Sequence, residues 1–146
     1  MDRTAKIFRT ARIFKALSDE TRLTIMGLIF RHGHLCVCEV ERILGITQSK
    51  SSRHLRYLRD AGILVDEREG LIVNYRLPES PDEELSTVLV TLRTLLANRP
   101  LPEAGPLLVQ IRRDRWEGDS GRALTGSGAG VGTPSNTPRG TAGRGA

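Results

Sequence analysis

The chain has 146 residues, which is room for one domain with a modest core and tails. Its 22 Lys and Arg against 17 Asp and Glu leave a formal charge of +5, a balance that favours a polyanionic partner, nucleic acid ahead of an anionic membrane surface. No apolar run approaches the ~18 residues of a spanning helix, and the start MDRTAKIFRTARIF lacks the apolar stretch of a secretory signal, so a cytoplasmic protein with no membrane partner is expected.

The first pattern in chain order is AKIFRTARIFKAL, where Ile7, Phe8, Ala11, Phe14 and Leu17 recur at helical spacing. Ser18 breaks it as the expected N-cap of a second helix, which carries Leu23, Ile25, Met26, Ile29 and Phe30 and ends at Gly33. The segment HLCVCEV, residues 34–40, holds both cysteines and leads into a short helix stopped by Gly45. Thr47 then caps a helix with Ser51, Leu55, Leu58 and Gly62 on one side and Ser49, Arg53, Arg56 and Asp60 near the other. Two short helices joined by a tight turn make a helix-turn-helix.

The period then changes. Two β-rich runs flank Glu69-Gly70, and Val73, Tyr75 and Leu77 alternate with Asn74 and Arg76 as one buried face requires. This is a two-stranded hairpin, a wing. After Pro81, Leu85, Val88, Leu89, Leu92, Leu95 and Leu96 form a helix whose apolar seam is too wide for so small a domain to cover, so a second copy, joined through the first and last helices, is expected. The fold class is therefore α+β, mainly α: a winged helix-turn-helix with terminal dimerisation helices in residues 1–97. Residues 98–116 read as a linker or docking stub, and residues 117–146, rich in Gly, Ser, Thr and Pro, as a disordered tail.

A recognition helix enters the major groove N-terminus first, which puts Gln48, Ser49, Ser52 and Arg53 at base edges. Gln pairs bidentately with adenine and Arg with guanine. Lys50, His54 and Arg56 are better placed for phosphate or edge contacts, and Arg68, Asn74 and Arg76 for a wing gripping backbone or minor groove. The plainer reading makes the polar positions an ordinary solvated face and His54 a brace for the turn, but cap, turn, hairpin and basic balance together favour DNA.

Cys36 and Cys38 admit burial, redox chemistry or metal binding. There is no C-x-x-C, no Cys-His-acid order and no phosphate loop, so no enzyme is expected. A disulfide within C-x-C strains the backbone. Thiolates select soft or thiophilic centres, while zinc would ask for four ligands. A helix N-terminus and His32 or His34 would favour the thiolates, and Glu39 and Glu41 oppose them. Side chains two apart on a regular helix diverge, so closure on one ion requires a departure from helical backbone.

ALSDETRLTIM (16–26), LCVCEV (35–40), TQSKSSRHLRYLRDAGIL (47–64) and REGLIVNYRL (68–77), in that order, resemble the ArsR/SmtB family of winged-helix metalloregulatory repressors, most closely its arsenic-responsive branch. The resemblance covers about residues 5–97. It implies a homodimer that binds double-stranded operator DNA without a cofactor and releases it when a metal or metalloid binds. In that branch the pattern is Cys-Val-Cys-x-x-Cys, and Glu41 stands here at the third cysteine. The resemblance thus implies As(III) or Sb(III) as inducer on Cys36 and Cys38, with the third position open to an external thiol, hydroxide or a carbon substituent, and leaves cadmium or lead open if Glu41 ligates. The last helix carries no histidine, unlike the family's zinc sensors. The alternative is a DNA-binding regulator of the same fold with a thiol-redox signal or no cysteine-based inducer.

Overall fold

Capping chemistry divides the N-terminal half into its helices. In the computed structural model, which describes residues 2–125, α1 spans Arg3–Leu17 and α2 spans Glu20–His32. The cap between them is Asp19 rather than Ser18: its carboxylate accepts from Arg22 N–H at 2.9 Å, whereas the Ser18 hydroxyl donates back to Lys15 O and closes α1. A carboxylate accepts from the helix's unpaired first-turn amides and also complements the positive end of its dipole, so Asp prevails.

Strand β1, His34–Cys36, follows, then α3 (Val37–Leu44), α4 (Gln48–Asp60), β2 (Val65–Glu69), β3 (Ile72–Arg76) and α5 (Glu83–Leu96). The sequence indicates only β2 and β3; β1 makes a third antiparallel strand, in the order β1-β3-β2. Leu35 lies opposite Tyr75 and Cys36 opposite Asn74. A three-residue strand is too short to show a period, which is why pattern alone misses it.

The core collects Ile13, Ala16, Ile25, Met26, Leu28, Ile29, Leu35, Val40, Leu55, Leu58, Ile63 and Leu64, all nearly or fully buried. Full burial of such an aliphatic side chain is worth about 1.5–3 kcal/mol. Packing onto this core, not local propensity, sets the pose of α4: Ser51, Leu55 and Leu58 face inward and the polar positions face out. Arg9 links α1 to the start of α5, pairing with Asp82 at 2.6 Å and Glu84 at 2.9 Å.

The C-terminal region differs from the expected stub and tail. Helix α6 spans Gly105–Thr125, so residues 117–125, read as tail, are helical. Leu101 lies against Gly27 of α2, and Ala104, Leu108 and Ile111 are buried. Burial of this first turn overcomes the nucleation cost, after which each residue adds one backbone bond. Residues 126–146 of the expected tail lie outside the described residues. The chain divides after Arg112 into two units. Among the described residues no helix is long and apolar enough to cross a membrane.

Candidate DNA-binding face and thiol site

The outward face of α4 is built locally. Gly45 ends α3 in the left-handed region, φ 64°, and Thr47 Oγ1 accepts from Lys50 N–H at 3.2 Å to start α4. Gln48, Ser49, Lys50, Arg53 and Arg56 are exposed, and Ser52 is half-buried. Gln48, Ser49, Ser52, Arg53 and Arg56 line one open groove together with Tyr57 and Asp60. Tyr57 was not singled out by sequence; Arg22 stacks on its ring at 4.2 Å, which fixes that edge of the groove.

Other expected contacts are placed differently. His54 turns toward the start of α2, with Nδ1 at 3.3 Å from Arg22 Nη1 and 3.9 Å from Asp19 Oδ1. Burial lowers its pKa, and Arg22, Arg53 and Lys50 add to the effect while Asp19 opposes it. This is bracing geometry. On the wing, Arg68 is exposed, whereas Arg76 donates to Glu67 at 2.9 Å and to Leu77 O at 3.1 Å. Asn74 is buried and donates to Glu69. Because β2 supplies Asp66, Glu67 and Glu69, the wing is less cationic than its arginines suggest.

The thiol site is built across the chain. Cys36 ends β1 and is also the N-cap of α3, with extended backbone (φ −101°, ψ 169°), while Cys38 lies in the first turn. The departure from helical backbone is therefore already present, and the two Sγ atoms stand 2.9 Å apart. Binding at the pair does not require the helix start to be distorted. Cys36 is buried and Cys38 exposed. The Cys36 thiol is pushed far above its ordinary pKa, first by its hydrogen bond with Cys38 and then by burial.

Glu39, fully buried, completes a reciprocal cap: its Oε2 accepts from Cys36 N–H at 3.0 Å, and its own N–H faces Cys36 Sγ. Arg112 of α6 donates through Nε to Glu39 Oε1 at 3.0 Å and through Nη2 to His34 O at 3.0 Å. The spacing of Cys36 and Glu39 signals the cap, but nothing local signals Arg112, 73 positions away from Glu39. Among the described residues, no three His, Cys, Asp or Glu side chains are gathered to hold a metal ion. Burial, with Arg112 and Arg31 nearby, lowers the pKa of His32.

The apolar surface left over belongs to the terminal helices. Ile7, Phe8 and Phe14 of α1 and Val90 and Leu95 of α5 are exposed, whereas Leu92 is buried within the protomer.

Residues 19–65 match the family model for bacterial regulatory proteins of the arsR family. The arsenic resistance transcriptional regulator ArsR1 of Pseudomonas putida is 54% identical over 70 residues, 47% of this chain and 55% of that protein. ArsR2 of the same organism is 49% identical over 82 residues, 56% of this chain and 71% of that protein. The match thus spans only about half the length of the first relative. Among solved structures, the AntR antimony-specific transcriptional repressor has a TM-score of 0.51 at 27% identity, covering 66% of this chain and 86% of that one. The homodimeric winged helix-turn-helix DNA-binding domain of a possible ArsR-family regulator from Mycobacterium bovis has a TM-score of 0.54 at 25% identity, covering 68% and 89%. The capped helix-turn-helix, the wing and these matches agree: the chain belongs to the ArsR family of bacterial winged helix-turn-helix transcriptional regulators, not to an enzyme family.

Proposed function

We propose that this protein is a metalloid-responsive transcriptional repressor that binds operator DNA as a homodimer and releases it when trivalent arsenic or antimony bridges Cys36 and Cys38. The observation that carries the reading is the apposed thiol pair, Cys36 buried and Cys38 exposed, at the first residues of the helix-turn-helix. The similar arsenic resistance regulators and the antimony-specific repressor support this inducer class. The M. bovis homodimer and the exposed apolar residues of α1 and α5 support the dimer.

Gln48, Ser49, Ser52 and Arg53 read base edges from the N-terminal half of α4, and Lys50, Arg56 and Arg68 contact phosphate. His54 braces α4, and Arg76 serves mainly the wing's own ion pair. Cys38, being exposed, attacks first. Each thiol displaces one hydroxyl of arsenous acid as water, so two thiols give a dithiolate that retains one hydroxyl. A monomethylated trivalent arsenical loses both hydroxyls in the same way and keeps its carbon substituent. Two sulfurs complete that centre, whereas zinc would remain short of ligands. Because α3 packs directly on α4, a new bond geometry at Cys36 and Cys38 reaches the recognition helix without a long pathway, and a differential of about 3 kcal/mol lowers operator affinity roughly a hundredfold.

The test is operator release by fluorescence anisotropy with a non-thiol reductant. Cys36→Ser and Cys38→Ser are expected to bind operator like the parent and to ignore arsenite and the methylarsenical. Normal release from both variants would place the inducer site elsewhere. Release by peroxide but by no arsenical would favour a thiol-redox signal.

A further inference from the structure

Residues 98–112 form a strap along the domain's own core. The strap is anchored at both ends. At its start Arg31 donates to Arg99 O and Leu101 fills the space beside Gly27, both on α2. Its middle buries Ala104, Leu108 and Ile111. At its end Arg112 reaches the cysteine segment, holding the Glu39 carboxylate and the His34 carbonyl at 3.0 Å each. Glu39 in turn holds the Cys36 amide at 3.0 Å. The chain of contacts Arg112, Glu39, Cys36 thus ends on the residue whose extended backbone sets one sulfur against the other.

We propose that Arg112 is a positioning residue for the thiol pair, latching the strap onto Glu39 so that Cys36 is held at the N-cap of α3 with its sulfur facing that of Cys38. The inference rests on the thiol-pair reading for its consequence, though not for its geometry. A carboxylate buried as deeply as Glu39 keeps a single pose only while its charge is matched, and Arg offers a planar fork that satisfies carboxylate and carbonyl together. With the fork removed, the carboxylate is drawn toward water and the Cys36 amide loses its acceptor. The N-cap then samples poses in which the sulfurs diverge, and a chelating pair becomes two separate thiols. The strap therefore gives the site a support drawn from outside the helix-turn-helix and the wing.

The experiment uses the full-length dimer and the variants Arg112→Gln, Arg112→Lys and the double variant Glu39→Gln/Arg112→Gln, the last removing the buried charge together with the latch in case Arg112→Gln does not fold. Arsenite and a monomethylated trivalent arsenical are titrated with a non-thiol reductant, and operator affinity and Cys36 amide exchange are measured without arsenical. Loss of groups that orient ligands costs about 10–100-fold in affinity. Arg112→Gln, or the double variant in its place, is expected to bind arsenical about tenfold or more weakly and to exchange the Cys36 amide about tenfold faster, with operator affinity within about twofold of the parent. Arg112→Lys recovers part of both effects. Parent-like arsenical affinity or unchanged Cys36 exchange in the folded latch variant would overturn the latch. A parent that takes up no arsenical would overturn the thiol-pair reading instead, and Cys36 exchange alone would then decide the latch.

Discussion

Helix α4 and the cysteine segment are near in the chain, and α3, which carries Cys38, packs on α4, yet the two are made in opposite ways. Helix α4 takes its start and its polar face from its own residues: Thr47 caps it, Leu55 and Leu58 seat it on the core, and Gln48, Arg53 and Arg56 are exposed. The cysteine segment depends on distant strands and helices, with Asn74 paired across the sheet and Arg112 arriving from α6. A face built locally fails one contact at a time. A site built from distant parts fails as a unit, because each support holds another.

Substitutions on α4 test the first half of that contrast. Arg53→Ala is expected to weaken operator binding by about 1–3 kcal/mol and to relax preference at a guanine. Arg56→Ala should weaken all sequences alike and lower the slope of affinity against salt. Both should leave the response to arsenicals intact. Equal, sequence-independent losses for the two, measured by anisotropy on operator and scrambled DNA, would break the assignment of Arg53 to base readout.

A smaller effect is expected at the cap. Thr47→Ala should lower stability in urea by about 1 kcal/mol without changing arsenical affinity, since the helix loses one local acceptor. If it also altered arsenical binding, α4 and the cysteine segment would be one cooperative unit and the comparison would fail.

The smallest effect concerns pH. His54 and His32 both have folded pKa values below the ordinary 6.5, each chiefly through burial. Below 6.5 the unfolded chain takes up protons that the fold resists, so the contribution is fully present above that value and is lost as pH falls toward the lowered folded values. Stability in urea should therefore decline between about pH 7.5 and pH 5.5, and His54→Gln should flatten the decline. A rising profile would contradict burial as the dominant influence on these rings.

Much of this was readable without coordinates because it depends on neighbours in sequence. The helix-turn-helix followed from Gly45, Thr47 and the inward spacing of Leu55 and Leu58, and the wing from the alternation around Glu69-Gly70. Of the apolar positions expected in a seam of α1 and α5, Leu92 serves the protomer's own core, while Phe8, Phe14 and Leu95 are exposed. Periodicity identifies an apolar side chain and says nothing of which apolar neighbour it will meet.

The sequence by itself determined the order and type of the main elements, the cap of α4 and the outward polar face. Each of these is set by interactions across a few residues, where chain connectivity leaves little freedom. Only the tertiary structure decided that Cys36 is a strand end as well as a cap, that His54 turns inward to Arg22, and that Arg112 closes on Glu39. Those contacts join segments up to 78 positions apart, as between Arg112 and His34, and their partners are chosen by packing around a common core rather than by any local pattern.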